Sequence, residues 1–456
     1  MLIRFTIENF LSFRDREVFS LIPGKGTLKP QHKAKPIKGI SVLKAAVLFG
    51  ANASGKSNLV KAIELGRRLV VEGTKAEQPI SFDFFKLDKQ RRKENARIEY
   101  ELQHKNKNYA YGFIFNAREI VEEWLFEIGK KSEAKIFERR NSNQFDLAFF
   151  KKKNKKEEFH FIEYVAKATP KNQLFLNQVR SSNVAENVGD IEDVFNVIDW
   201  FQNTLNIVFP NSMSIRKKIE FLVNADLQKI FTEMLDYFDT GIDGIEFQEI
   251  EFEKINVPEE LKTEIRNGLL GSKMENASAI LSNIQDDKYF ILTKKAEDQV
   301  SASLLKTRHK TADGTFELFD LKDESDGTRR IMDLIPMIID FFQGGSVFVI
   351  DEMERSLHPN LVYDLFDFFL SHCENISSQF IVASHESSLL TQKLLRKDEI
   401  WFVVKESEGI SRLHSLEEYN IRFDKEVRRD YLLGRYKGVP RLGNRNNLTV
   451  LTLNEG

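Results

Sequence analysis

Hydrophobic and polar residues follow two different periods along the chain, and the period changes several times. Residues 1–22 alternate as two short strands joined by a turn do, which predicts a β-hairpin. Residues 45–49 are continuously apolar, as in a strand buried on both faces, and residues 59–65 carry apolar side chains at helical spacing. The first part of the chain is therefore predicted to run as hairpin, strand, loop and helix.

Three longer regions follow this start. Short β patterns dominate from about residue 80 to 150, and mostly helical patterns extend from about 160 to 300, as in residues 190–205 and 227–238. Strand and helix alternate again from about residue 315. These patterns predict an α/β protein with a β-rich N-terminal lobe and an inserted helical region. The predicted boundaries are 1–155 for the first lobe, 156–305 for the helical insertion and 306–456 for the second lobe.

Composition and cysteine content limit the class of protein. Hydrophobic residues make up 41% of the 456 positions and charged residues 30%, so the chain can bury a large core. No run of 18 apolar residues occurs, which argues against a membrane segment. Cys373 is the single cysteine, which excludes an internal disulfide and a metal site built from several cysteines. We predict a cytoplasmic protein with no membrane partner.

Basic residues are clustered although the net charge is only −2. Lysines are frequent in residues 25–38, form a tight run at 151–156 and occur together with arginines at 428–445. Such runs are usually solvated surface, and a polyanion-binding surface is the alternative interpretation. Nucleic acid therefore stays open as a further partner.

The strongest motif lies between the strand at 45–49 and the helix that follows it. Residues 50–57 fit the phosphate-binding pattern G-x-x-x-x-G-K-[ST] at every fixed position. Glycines let the backbone wrap closely around phosphates, and inward N–H groups together with the helix N-terminus attract negative charge. Lys56 is suited to reach the β- and γ-phosphates of ATP, and the Ser57 hydroxyl is suited to bind Mg²⁺. The predicted nucleotide-binding residues are Gly50, Asn52, Ala53, Ser54, Gly55, Lys56, Ser57 and Asn58.

Two further apolar strands end in residues that suit ATP chemistry. Residues 347–350 are followed by Asp351 and Glu352, at the end of a strand where open α/β sheets bind ligands. We predict that Asp351 holds the Mg²⁺ ion and that Glu352 polarises the attacking water. Residues 379–383 are followed by Ser384 and His385, about one strand–helix–strand step later. We predict that His385 contacts the γ-phosphate.

Together these motifs resemble the ABC-type ATPase heads among P-loop enzymes. In that family a Ser-Gly segment at the start of a helix touches the γ-phosphate bound by the other subunit, and Ser325 and Gly327 match it. Asp326 departs from the family pattern by occupying a glycine position, and an ordinary Ser N-cap is the alternative interpretation. The resemblance implies a homodimer or higher homo-oligomer with ATP sandwiched between subunits. Gln78 and Gln178 are candidates for the glutamine of this family's Q-loop, and neither is a convincing match.

The wider resemblance is to stand-alone AAA/ABC-like ATPases of bacterial phage-defence loci. About 265 residues separate the P-loop from Ser325, and their patterns are β-rich and helical without the heptads of a long coiled coil. Residues 3–13 are similar to the first hairpin of those ATPases, and residues 430–440 to the end of the restriction-linked Rlo and abortive-infection AbiL proteins. The resemblance implies an ATPase, converting ATP and water to ADP and phosphate, that controls a separate effector such as a Toprim-like nuclease.

Three other functions compete with this one. About 70 residues follow His385 and contain no D-x-D triplet, so a nuclease domain in this chain is not expected. A transporter motor is disfavoured because there is no membrane segment and no usual signature sequence. The main alternative is a DNA-repair or recombination ATPase, which would bind nucleic acid directly through a basic surface.

Overall fold

The computed structural model describes residues 1–210, 224–271, 278–283, 288–296, 299–419 and 426–439. The chain divides into a larger unit (Met1–Pro210, Gln343–Met353 and Tyr363–Gly456) and a smaller unit (Asn211–Phe342 and Glu354–Val362). Among the described residues, the larger unit holds two sheets and the smaller unit holds one.

Within the described residues, strands and helices are numbered in chain order. The strands are β1 (Leu2–Glu8), β2 (Glu17–Ser20), β3 (Ala45–Phe49), β4 (Ala96–His104), β5 (Lys107–Phe115), β6 (Ile120–Ile128), β7 (Glu133–Arg140), β8 (Gln144–Asp146), β9 (Leu205–Val208), β10 (Ile242–Ile250), β11 (Ser278–Asn283), β12 (Lys288–Ala296), β13 (Gln299–Lys310), β14 (Phe316–Asp320), β15 (Val347–Asp351), β16 (Gln379–Ala383), β17 (Ile400–Lys405) and β18 (Ser411–Ser415). The α-helices are α1 (Lys56–Val71), α2 (Ala148–Lys153), α3 (Lys156–Ala168), α4 (Phe175–Ser181), α5 (Val184–Asn187), α6 (Glu192–Asp199), α7 (Ala225–Tyr237), α8 (Glu259–Leu270), α9 (Asp326–Gln343), α10 (Pro359–His372) and α11 (Val427–Leu432).

A six-stranded sheet in the order β18-β17-β3-β16-β15-β9 positions the predicted site. Its strands are parallel except for β18, which runs antiparallel to β17. Every residue of β3, β15 and β16 is buried, which explains why these segments read as continuous apolar runs. Because the strands are parallel, the chain segments after β3, β15 and β16 all leave the sheet at the same edge.

The second sheet of the larger unit is antiparallel, in the order β2-β1-β4-β5-β6-β7-β8. The predicted N-terminal hairpin is confirmed, with β1 paired to β2 in a register that places Phe5 opposite Phe19. Helix α1 packs closely on this sheet, since the Tyr100 hydroxyl donates to the carbonyl oxygen of Ile63 at 2.7 Å. A Cβ on Gly66 would clash with the Tyr100 hydroxyl, so this glycine permits the close approach.

The smaller unit is built on a five-stranded antiparallel sheet in the order β10-β13-β12-β11, with β14 also paired to β13. Phe252, Leu269 and Leu292 belong to its hydrophobic core. The helix predicted at 190–205 corresponds to α6 and the π-helical turn that follows it. The helix predicted at 227–238 corresponds to α7. The expectation of a mostly helical region up to residue 305 is wrong for its second part, which also contains β10–β13. Among them, β10 and β13 pair distant segments, such as Ile242 with His309, and local periodicity does not report such pairing.

The α/β fold class is confirmed, as are the strand–loop–helix at the P-loop and the strand–helix–strand step from β15 through α10 to β16. In the described part of the chain, no helix is both long and apolar enough to cross a bilayer. The part of the basic cluster at 428–445 that follows residue 439 lies outside the described residues.

Candidate functional site

The loop between β3 and α1 has the backbone of a phosphate-binding loop. Ala53 and Gly55 both have positive φ, at 60° and 115°. A Cβ on Gly55 would clash with the Ser411 hydroxyl and lie 2.8 Å from that of Ser12, so only glycine fits there. The loop therefore turns tightly into the N-terminus of α1, where the positive end of the helix dipole favours an anion.

Two serines brace this loop from outside, and the sequence-based prediction missed both as functional positions. The Ser411 hydroxyl donates to the Ser54 carbonyl oxygen at 2.5 Å and lies 2.7 Å from the Ser12 hydroxyl. The Ser411 N–H donates to the Ser12 carbonyl oxygen at 2.8 Å. Asn58 of α1 donates from Nδ2 to the Ser12 hydroxyl at 2.8 Å. This predicted nucleotide-binding residue therefore also helps to position Ser12. Ser12 lies in the recognised hairpin, whereas nothing in the sequence singles out Ser411.

Lys56 is the first residue of α1 and its side chain lies along the loop. It is 4% exposed, and its Nζ donates to the carbonyl oxygens of Gly50 at 2.7 Å and Ala51 at 3.2 Å. The Ser54 hydroxyl is buried and has no hydrogen-bond partner within the described part of the chain. The buried Lys56 ammonium and the buried Ser54 hydroxyl, at the start of α1, fit a polyphosphate.

Ser57 and Asp351 come together at the end of β15. The Ser57 hydroxyl donates to Asp351 Oδ1 at 3.0 Å, joining residues 294 positions apart. Burial raises the pKa of Asp351, the Ser57 hydrogen bond opposes this, and the charge of Glu352 raises the pKa further. Among the described residues no group of three or more His, Cys, Asp or Glu side chains is arranged to hold a metal. One carboxylate and one hydroxyl suit Mg²⁺, which usually takes few protein ligands and completes its shell with water and substrate phosphates.

Glu352 follows Asp351 in a left-handed backbone conformation with φ of 50°. Its N–H donates to the Ala383 carbonyl oxygen of β16 at 2.9 Å, which holds the turn. This conformation costs a non-glycine residue about 1–3 kcal/mol and is typical of functional positions. The strain motivates a functional role for Glu352.

His385 lies two residues beyond β16, and its Nδ1 is 3.4 Å from Lys56 Nζ. Burial lowers the pKa of His385, and the positive charge of Lys56 lowers it further. Both effects favour the uncharged imidazole, and the nearby charge of Glu352 opposes them by raising the pKa. The structure thus brings the P-loop, Asp351, Glu352 and His385 to one edge of the six-stranded sheet.

Ser325 and Gly327 belong to the smaller unit, where they begin α9. The Ser325 hydroxyl accepts the Thr328 N–H at 3.0 Å, which is the helix-capping role weighed as the alternative. A Cβ on Gly327 would lie 2.8 Å from the Ser356 carbonyl oxygen, so the chain is tightly packed at this point. The preceding residue, Glu324, lies 2.7 Å from His309 Nε2 and anchors the segment to β13.

The two candidates for the Q-loop glutamine do not follow a strand of the six-stranded sheet. Gln78 lies in the loop after α1. Gln178 belongs to α4 and donates to the Ser182 hydroxyl at 3.3 Å.

These elements define an ATPase of the AAA/ABC type with a P-loop fold. Residues 45–391 match the family described as "AAA domain, putative AbiEii toxin, Type IV TA system". The match covers more than half of the chain, and the chain belongs to this family. The prediction of an AAA/ABC-like ATPase is confirmed at this level.

Structural comparison finds SMC heads among the similar folds. These are the SMC head domain from Thermotoga maritima (12% identity, 91% of this chain and 98% of that chain, TM-score 0.36), an SmcHead bound to the C-winged helix domain of ScpA (12%, 91% and 99%, TM-score 0.38) and an Smc head domain with an extended coiled coil bound to the C-terminal domain of ScpA derived from Pyrococcus furiosus (13%, 91% and 97%, TM-score 0.32). No curated protein matches the sequence.

Proposed function

We propose that this chain hydrolyses ATP, with Mg²⁺, at the edge of the six-stranded sheet where β3, β15 and β16 end. The observation that carries the proposal is the 3.0 Å hydrogen bond between Ser57 and Asp351. It joins the phosphate-binding loop to the acidic strand end and places a hydroxyl and a carboxylate where a metal beside the phosphates would need them.

Each residue of the site then has a distinct role. Bound Mg²⁺ supplies positive charge to the phosphate oxygens. Lys56 holds a fixed positive charge in the loop, and Ser57 and Asp351 hold the ion. Glu352 accepts a proton from the attacking water, and the neutral His385 contacts the terminal phosphate through a ring nitrogen.

We also infer that two copies of the chain complete the site. Ser325 and Gly327 start an 18-residue helix, α9, whose N-terminus favours an anion. In the ABC-type arrangement, this segment of one subunit faces the P-loop of the other. ATP then contributes to the interface, so its binding stabilises the dimer or a larger assembly built from the same contact.

Replacing Ser325 with arginine should block hydrolysis while leaving ATP binding to the P-loop largely intact. The long side chain would lie in the interface between subunits and keep the Ser325–Gly327 segment of one subunit away from the phosphates bound by the other. Turnover and light scattering with and without ATP measure the effect. Ser132→Arg is the matched control, because Ser132 is an exposed serine of the β6–β7 turn. If Ser325→Arg hydrolyses ATP normally as a monomer, the composite site is wrong and each chain works alone.

The cellular role that we propose is control of a separate effector in an abortive-infection defence system. The description of the matched family, with its reference to a type IV toxin–antitoxin system, supports this role. The resemblance of residues 3–13 to the first hairpin of phage-defence ATPases supports it as well, as does that of residues 430–440 to the end of the Rlo and AbiL ATPases. A Toprim-like nuclease is the effector class that the resemblance favours.

We expect the chain, expressed from its own gene cluster in a phage-sensitive bacterium, to lower phage plating and the Lys56→Ala variant to lose this protection. Plaque counts on matched lawns measure it. The competing DNA-repair role predicts no protection and salt-dependent binding of duplex DNA by the purified chain. Fluorescence anisotropy with labelled DNA at several salt concentrations reports that outcome, which would replace the defence role.

A further inference from the structure

A groove of about 1010 Å³ adjoins the P-loop in the larger unit, within the range of small-molecule sites. Ala51 and Asn52 of the loop line one side, and the end of β17 lines another. Lys437 and Val439, from the segment after α11, form part of a further wall. The roles proposed above for the P-loop edge leave this groove and the segment after α11 unexplained.

The segment after α11 is anchored to the strands that carry the P-loop. The rings of Tyr431 and Tyr436 both stack on Phe402 of β17, with centroid distances of 5.6 Å and 4.9 Å and interplanar angles of 16° and 11°. Tyr431 also meets Phe49, the last residue of β3, edge to face at 6.3 Å. Aromatic packing of this kind contributes beyond simple area burial, so the segment is held firmly beside the loop.

Internal contacts determine the conformation of residues 434–439, here called the tail turn. The buried Asp430 carboxylate accepts from Arg435 Nη1 at 2.5 Å, and the Tyr431 hydroxyl donates to the Gly438 carbonyl oxygen at 3.0 Å. A Cβ on Gly438 would lie 2.8 Å from the Tyr431 ring, so the turn closes tightly over that ring. The exposed Lys437 at its tip has a positive φ of 58°. A fixed turn therefore presents Lys437 to the groove.

The order of the strands indicates which part of a nucleotide the groove would receive. Asp351 ends β15 and His385 follows β16, on one side of β3, whereas the groove lies toward β17, on the other side. The terminal phosphate has to face Asp351 and His385, so the nucleoside leaves the loop on the β17 side. We propose that the tail turn forms a wall of a nucleoside pocket, with Lys437 donating to the ribose or base of ATP. This inference rests on the proposed ATP site.

The charges around the groove agree with a nucleoside. Arg14, which also lines it, pairs with Asp15 at 3.2 Å and with Glu408 at 2.8 Å, so its charge is largely compensated. Lys437 has no ion pair within the described part of the chain. Val403 and Val439 add apolar surface. A mixture of apolar wall and a few donors is what a base and a ribose require.

Isothermal titration of the full chain with ATP and, separately, with inorganic tripolyphosphate tests the assignment. Lys437→Gln should weaken ATP binding about three- to tenfold, because a shorter, neutral amide replaces the longer ammonium donor, and leave tripolyphosphate affinity unchanged. Arg429→Gln is the matched control, since it removes an exposed cation from α11 outside the groove. Because Lys437 is exposed, the variant should melt at the wild-type temperature.

The outcomes separate the two proposals. Unchanged ATP affinity in Lys437→Gln overturns the tail-turn inference, and so does an equal loss for both ligands, because the turn would then act on the phosphates. Lys56→Ala should weaken both ligands. If it weakens neither, the proposed ATP site itself is wrong and the nucleoside pocket fails with it.

Discussion

Replacing Lys56 with alanine is expected to lower ATP affinity by about one to two decades and to abolish binding at ordinary assay concentrations. The loss follows from removing a charge-assisted contact of about 1.5–3 kcal/mol. Lys56 is buried, and its ammonium is held by the Gly50 and Ala51 carbonyl oxygens. Residues 50–57 contain no other lysine or arginine, so no neighbouring cation of the loop replaces it. Calorimetric titration measures the loss. Lys75→Ala, an exposed lysine just after α1, should bind ATP as the wild type does.

The same variant has a second readout that needs no nucleotide. The charge of Lys56 helps to lower the pKa of His385, after the larger effect of burial. Removing that charge should raise the pKa of His385 toward the ordinary histidine value, which NMR titration of the imidazole detects. A raised histidine pKa with unchanged ATP affinity would show that the lysine is correctly placed but that the loop does not bind ATP.

Replacing Glu352 with glutamine is expected to lower turnover by about two to four decades while ATP binding is kept. Glutamine has nearly the same shape but does not accept the proton of the attacking water. The backbone turn at Glu352 is held by its own N–H to Ala383, which the substitution leaves in place. Phosphate release measures turnover, and light scattering should show the variant accumulating as an ATP-bound assembly. Glu186→Gln, at an exposed position of α5, serves as the control.

Wild-type turnover in Glu352→Gln would remove Glu352 from the reaction. Asp351→Asn distinguishes the two neighbouring carboxylates, because it should weaken the dependence on Mg²⁺ as well as turnover. If Asp351→Asn and Glu352→Gln lose activity with the same Mg²⁺ dependence as the wild type, the assignment of the metal to Asp351 is wrong.

The central part of the site could be predicted because its signals are local. The loop at 50–57 needs glycine at set positions, and β3 and α1 show their own hydrophobic periods on either side of it. The apolar strands before Asp351 and His385 are equally readable, since a strand buried on both faces leaves a continuous apolar run. From these runs the parallel sheet and the shared edge follow by the general rules of α/β folds.

The smaller unit shows where local patterns fail. Strands β10 and β13 are stabilised by pairing with each other although they lie far apart in the chain, and their short alternations do not exclude a helix. Ser325 illustrates the same limit at a single residue. Its local pattern suits both a helix cap and an ABC-type signature, and the structure shows the cap.

The P-loop, the two acidic residues at the end of β15, the histidine after β16 and the α/β class could all be read from the sequence, because each depends on residues close together in the chain. The folded chain was needed to show that Ser57 contacts Asp351, that Ser12 and Ser411 support the loop, and that the tail turn lies beside it. These contacts join residues about 300 to 400 positions apart. Hydrophobic burial of whole strands brings them together, and the residues that finally touch have no pattern of their own along the chain.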